Sequence, residues 1–296
     1  MFPGATAERD AAEYVVVGAP LDATTTFQPG TRFGPGRVRR FAETFDDYDH
    51  HTERFFSECG VHDAGDVRAW DDTAAYLDHL TGELRAAVLE EAIPVTVGGE
   101  HTVSWAGARA TDPDVFVALD AHLDLRADYD GNPLSHACVA RRILDGAAEG
   151  DEGEYPTADE VIVLGARTGC PEEWDRAEQD DVTVVPPEEV ADWEPDFEGR
   201  DVYLSVDIDG ADPGFAPGTG TMEPFGLSPR EMRDVVRAVA PDCVGFDVVE
   251  VNDRDDGQAA ALGGKLLRQF VYAHADADGD DGDGVADDVR DLTEFE

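Results

Sequence analysis

Val115-Phe116-Val117-Ala118-Leu119 runs directly into Asp120-Ala121-His122-Leu123-Asp124. Five apolar residues, rich in β-branched and aromatic types, read as a strand covered on both faces, because no polar residue alternates with the apolar ones. The five that follow carry two carboxylates and an imidazole at every second position. On an extended chain, positions i, i+2 and i+4 share one face. Several like charges on one face call for a counter-charge, and a divalent cation supplies one.

Outward from this stretch, the same pattern recurs. Tyr14 to Gly18, Ile93 to Val97, Val161 to Leu164, Val182 to Val185, Val202 to Val206 and Val244 to Val249 are short apolar runs. Between them lie amphipathic stretches. In Thr73 to Glu91, the residues Ala74, Leu77, Leu80, Leu84, Val88 and Leu89 fall near one helical face. Pro229 to Ala240 and Ala259 to Ala273 read the same way. Alternating strands and helices predict one α/β domain with a parallel sheet, over residues 1–275. Ala148 to Tyr155 reads as an acidic surface loop. Residues 276–296 read as an acidic, flexible tail. Asp276 to Asp291 resembles a calcium loop in its aspartates, but no glutamate stands at the twelfth position.

The chain has 296 residues and a formal net charge of -45 at pH 7. Such a surface repels nucleic acid and anionic membranes. Lys265 is the sole lysine among the 22 basic residues. An acid-rich, lysine-poor chain suits a cytoplasm with molar salt, where counter-ions screen self-repulsion. Cys59, Cys138, Cys170 and Cys243 show no paired spacing and read as buried, reduced thiols. The first residues lack a signal-peptide pattern, and no stretch approaches the roughly 18 apolar residues of a membrane span. A soluble cytoplasmic protein is expected.

Two further segments end strands. Gly98-Gly99-Glu100-His101-Thr102 follows Ile93 to Val97, and its glycines permit a sharp turn. Ser205-Val206-Asp207-Ile208-Asp209, with Asp212-Pro213, ends the run from Val202. Together the three segments offer four carboxylates, two imidazoles and no cysteine. That donor set suits a harder divalent ion such as Mn²⁺. Four carboxylates balance two divalent ions, and a pair held roughly 3.5 Å apart can acidify one water.

In this order, GGEHT, DAHLD and SxDIDxxDP resemble the three metal motifs of the ureohydrolase family of arginases and agmatinases. The resemblance spans about residues 14–272. It implies a three-layer α/β/α sandwich around a mostly parallel eight-stranded sheet. It implies one manganese held by His101, Asp120, Asp124 and Asp207, and a second by Asp120, His122, Asp207 and Asp209. It makes Asp124 an orienting group for the nucleophile, His136 of Ser135-His136-Ala137 a proton shuttle, and Glu250 the receiver of the guanidinium. Homo-oligomers, trimers or hexamers, are expected by the same resemblance.

The implied reaction is hydrolysis of a small cationic guanidino compound to urea and an amine. Agmatine is favoured, giving putrescine, because the Asn-x-His-Gly stretch of arginases is replaced by Gly131-Asn132-Pro133-Leu134-Ser135-His136. Guanidinobutyrate and arginine are the alternatives, as is a non-catalytic metal-binding subunit. Departures from the family pattern are Met222 and Phe225 in GTGTMEPFG, and Asp253 after Glu250-Val251-Asn252.

Overall fold

The structure, a computed structural model, describes residues 1–68, 72–146 and 157–280. The expected loop at residues 148–155 lies outside the described residues.

Eight strands form one sheet: β1 (Tyr14–Ala19), β4 (Val61–Asp66), β5 (Ile93–Gly98), β6 (Val115–Leu119), β7 (Glu160–Leu164), β8 (Val182–Val185), β9 (Val202–Asp207) and β10 (Cys243–Val249). Two short strands, β2 (Tyr48–Asp49) and β3 (Arg54–Phe55), make a separate antiparallel hairpin. The sheet order is β4-β1-β5-β10-β9-β6-β7-β8, and every pairing is parallel. The expected eight-stranded sandwich is therefore present, with a wholly parallel sheet.

Seven of these strands coincide with the apolar runs. The one not foreseen, β4, has the sequence Val-His-Asp-Ala-Gly-Asp and lies at the sheet edge. An edge strand need not bury both faces, so it carries no continuous apolar signal.

Alternate strand residues feed two cores. Val16, Val117 and Leu204 face one side, where helices α1 (Gly34–Ala42), α6 (Pro229–Val239) and α7 (Gln258–Asp280) pack. Val15, Val17 and Phe116 face the other, with α2 (Thr73–Leu89), α3 (Val103–Thr111) and α4 (Val139–Asp145). A seventh helix, α5 (Pro171–Ala177), follows β7. In α2 the buried stripe is Leu77, Leu80, Leu84 and Ala87 with Tyr76, whereas Leu89, expected on that face, is 80% exposed. Five residues past Leu84 it has turned about 140° away from the stripe. Helix α3 is buried nearly all round, from Val103 to Ala108, so it has no amphipathic stripe to read.

Helix α7 continues to Asp280, so it includes the first five residues of the expected tail. Residues 281–296 lie outside the described residues. Among the described residues no helix is long and apolar enough to cross a membrane.

Candidate metal centre

In a parallel sheet all strands end at the same edge, and ligands bind beyond the carboxyl ends of strands. His101 follows β5, Glu250 follows β10, Asp207 and Asp209 close β9, and Asp120, His122 and Asp124 follow β6. Those four strands are neighbours in the sheet, in the order β5-β10-β9-β6. Segments up to about 150 residues apart in the chain thus meet over its centre.

The convergence does not come from an extended face, as the spacing suggested. Strand β6 stops at Leu119, and Asp124 adopts φ +52°. Asp209 lies in a short 3-10 turn from Ile208 to Gly210. Asp120 and Asp207 each turn the chain on themselves: Asp120 Oδ1 accepts from His122 N at 2.7 Å, and Asp207 Oδ1 from Asp209 N at 2.9 Å. In both, the other oxygen is left for the site. Glu250 also has a left-handed backbone, at φ +59°. Two non-glycine residues held this way, both at the candidate site, are local strain that the fold sustains there.

His101 Nδ1 lies 3.0 Å from Asp120 Oδ2, 2.9 Å from Asp124 Oδ2 and 3.5 Å from Asp207 Oδ2. His122 Nδ1 lies 3.1 Å from Asp209 Oδ2 and 3.6 Å from Asp120 Oδ1. Two groups of metal-ligating geometry result, His101–Asp120–Asp124 and Asp120–His122–Asp209, with Asp120 shared. Asp207 is oriented into the first group through His101.

The donors fit a cation. His101 Nε2 contacts Ser205 Oγ at 3.1 Å, and Ser205 donates to Asp247 Oδ1 at 2.6 Å. With Nε2 engaged, Nδ1 is buried without a hydrogen-bond partner of good geometry and faces only carboxylates. Burial, then the charges of Asp209, Asp120 and Glu250, push the Asp207 pKa well above the carboxylate range. Burial and then Asp120 lift Asp124 to about 6. Burial opposes a proton on His101, but Asp120 and Asp124 outweigh it. The same carboxylates that would hold a proton there would hold a divalent ion, and oxygen-rich ligation with two imidazoles matches Mn²⁺ better than a thiolate metal.

Beside this cluster stands His136, buried, in a short 3-10 turn whose N-cap Ser135 accepts from Ala137 N. Its Nδ1 pairs with Glu250 Oε1 at 2.9 Å. Burial lowers the imidazole pKa, but the Glu250 charge prevails and lifts it to about 9. Thr26 offers Nε2 both kinds of partner: its N–H at 3.1 Å donates to the neutral ring, and its hydroxyl at 2.9 Å can accept from the protonated one. Glu250 Oε1 also accepts from His101 N at 2.9 Å, whereas Oε2 is buried without a partner.

A cavity of about 370 Å³ opens on His136 and on part of the carboxylate cluster. Its wall includes Thr26, His122, Asp124, His136, Asp207 and Asp209. Farther out lie Arg126, Tyr129 and Cys170. Arg126 is tied to Glu173 at 3.3 Å and lies over the Tyr129 ring at 5.3 Å. Cys170 is half-buried there, while the other three cysteines are buried; all four are free thiols.

Several supporting residues were not singled out from the sequence. Glu100 is buried and accepts from Thr24 N at 2.9 Å, Thr24 Oγ1 at 2.7 Å and Thr25 Oγ1 at 3.1 Å. That anchors the turn which brings Thr26 to His136. Arg167 donates to the carbonyls of Asp209 at 2.8 Å, Gly165 at 3.0 Å and Glu223 at 2.7 Å, tying three loops together. Thr221, inside the glycine-rich loop, donates to Asp209 Oδ2 at 3.1 Å. The signals for such roles in the sequence were that Glu100 lies within the GGEHT stretch and that Asp247 interrupts an otherwise apolar strand. Met222 and Phe225 point outward, Phe225 being 85% exposed.

The sequence model of the Arginase family matches residues 12–272. An agmatinase of Bacillus anthracis is 34% identical over 276 residues, covering 88% of this chain and 91% of the relative. The proclavaminate amidinohydrolase of Streptomyces clavuligerus is also 34% identical, over 292 residues and 88% of this chain and 89% of the relative. The solved agmatine ureohydrolase of Thermoplasma volcanium superposes with a TM-score of 0.85 at 29% identity, over 94% of this chain and 95% of that one.

Proposed function

This chain belongs to the arginase family and is a ureohydrolase acting on C–N bonds, and on that premise we propose that it hydrolyses agmatine to urea and putrescine using two Mn²⁺ ions. The observation carrying this is the meeting of a cation-demanding carboxylate cluster with the His136–Glu250 pair: His136 lines the cavity with Asp124, Asp207 and Asp209, and behind it Glu250 keeps one buried oxygen without a partner.

One ion would be held by His101, Asp120, Asp124 and Asp207, the other by Asp120, His122, Asp207 and Asp209. Bound there, they supply the Lewis acidity that turns water into a nucleophile at neutral pH. Asp124 orients that nucleophile. Glu250 Oε2 receives the planar guanidinium, for which a carboxylate is the complementary acceptor. His136 holds a proton against Glu250 and gives it up through Nε2, past the Thr26 hydroxyl, to the departing amine. The paired carboxylate keeps that proton available at neutral pH.

Agmatine is supported by the agmatinase relatives. One observation favours a second reading, a guanidino acid such as guanidinobutyrate: the guanidinium of Arg126 on the cavity wall could meet a substrate carboxylate. Urea release from agmatine, guanidinobutyrate and arginine, side by side with Mn²⁺ and KCl, decides between them. Turnover of agmatine alone supports the first reading. Turnover of guanidinobutyrate alone transfers the chemistry to the second, and no urea from any guanidino compound would leave a non-catalytic subunit.

A further inference from the structure

On the helical face formed by α6 and α7, beside the β2–β3 hairpin, lies a cleft of about 450 Å³ that shares no lining residue with the active-site cavity. Its charge is opposite to that of the molecule. In a chain of net charge -45, the cleft gathers His50, His51, Arg233, Arg237 and the sole lysine, Lys265. Its floor is apolar, with Leu262 and Leu266.

One lining carboxylate, Asp49, opposes these cations, and it is already engaged. Asp49 Oδ2 accepts from His51 N at 3.2 Å and Thr52 N at 3.1 Å, shaping the hairpin turn. Its Oδ1 takes Gln269 Nε2 at 3.3 Å and lies 3.6 Å from Arg237. Arg233 is bound by its neighbour Asp234 at 2.6 Å. Among the described residues Lys265 has no ion-pair partner; its ammonium lies 4.2 Å over the Phe45 ring. The rings of His50 and His51 lie 4.0 Å apart. The positive field is felt locally: Arg237 is the main influence lowering the His51 pKa, and burial and then Arg268 lower that of Lys265. A second cleft of about 610 Å³ adjoins, shares His51 and Arg237, and adds Arg54, which is paired with Asp276 of the same cleft at 3.3 Å.

We propose that the cleft between α6 and α7 binds a small organic anion, a multiply charged phosphate-like head carried on an apolar body. The volume lies within the range of small-molecule sites. Arg237 and Lys265 would grip the head, since charge-assisted hydrogen bonds are the strong ones. Leu262 and Leu266 would receive the body. A chain of this net charge repels anions on the whole, so a cationic cleft favours them by contrast.

Lys265 makes the test specific, because it is the one lysine of this sequence, and the α-amine of Met1 serves as the reference amine. Pyridoxal 5'-phosphate and pyridoxal carry the same aldehyde and differ by the phosphate. Each condenses with an amine, losing water, and borohydride then reduces the imine to a stable secondary amine, which peptide mass mapping locates. The full-length protein is labelled with each reagent in about 1 M KCl, where only short-range charge contacts survive screening. Labelling of Lys265, normalised to Met1, is expected to be roughly fivefold faster with the phosphate-bearing reagent. Excess inorganic phosphate should abolish that advantage. In the Arg233→Ala/Arg237→Ala variant the advantage should vanish while labelling by pyridoxal and urea release persist. Equal rates for the two reagents in the unmodified protein would overturn the proposal, as would an advantage that survives in the double variant. Protection of Lys265 that grows with protein concentration would overturn it too, by giving the cleft to a second copy of the chain.

Discussion

Two groups of buried carboxylates in this molecule are solved in opposite ways. Asp63, on edge strand β4, meets Arg39 of α1 in a bidentate pair, Nη2 to Oδ1 and Nε to Oδ2, each at 2.8 Å. Arg39 also reaches Asp66 and the Gly65 carbonyl. Burial pulls the Asp63 pKa up, but Arg39 overrides it and holds the group below its ordinary value. The charge is neutralised within the chain. Over the centre of the sheet, Asp120, Asp124, Asp207 and Asp209 have only His101 and His122 among them, and burial drives Asp207 far upward. There the counter-charge must come from outside. A buried ion pair that closes on itself belongs to the fold, whereas a buried acidic cluster left open is a binding site for cations.

The comparison can be broken most sharply at the shared carboxylates. Asp120→Asn or Asp207→Asn should abolish bound Mn²⁺ and lower urea release by about a thousandfold or more, while leaving the metal-free melting temperature no lower. Elemental analysis and thermal melts in chelator measure this; a fully metal-loaded variant would remove Asp120 or Asp207 from the ligand set. Arg39→Ala should do the reverse. Breaking a buried pair costs about 3–5 kcal/mol, seen in denaturant melts, and metal affinity should hold in whatever fraction folds.

Next, His136→Gln should keep the metal and lose roughly a hundredfold in turnover. Metal loss in that variant would assign His136 to the ligand set instead. Ser205→Ala should weaken Mn²⁺ binding by about 10–100-fold, because the serine fixes which nitrogen of His101 faces the cluster; unchanged affinity would make the Asp247–Ser205–His101 chain a packing feature.

The smallest effect is one of pH. Asp63 has a depressed pKa, so its pair with Arg39 stabilises the fold above the unfolded carboxylate value, about 4. That contribution is lost as pH falls through the lower native value. The difference in melting temperature between the parent and Asp63→Asn should therefore be flat near neutrality and shrink below about pH 4. A difference that grows there would contradict the sign of the shift.

What could be read in advance follows from how each signal is encoded. Seven strands were visible as apolar runs because central parallel strands are buried on both faces. Strand β4 was not, since an edge strand tolerates His62 and Asp63. The metal-site candidates were visible because each follows a strand within a short segment. Thr26, Asp247 and Arg167 act on partners distant in sequence, so no local pattern marks their roles, and Ser205 stands in the SxDIDxxDP stretch without its contacts to His101 and Asp247 showing there.

By itself the sequence determined the alternation of strands and helices, the chemical types gathered at three strand ends, and the resemblance to arginases and agmatinases. Those are local properties of composition and spacing. Only the tertiary structure decided that β5, β10, β9 and β6 lie side by side, that Asp124 and Glu250 turn through left-handed backbone, and that Glu250 keeps an oxygen free while pairing with His136. The physical reason is that strand order and buried charge balance are set by contacts between segments far apart in the chain, where no residue's own type says which partner it will meet.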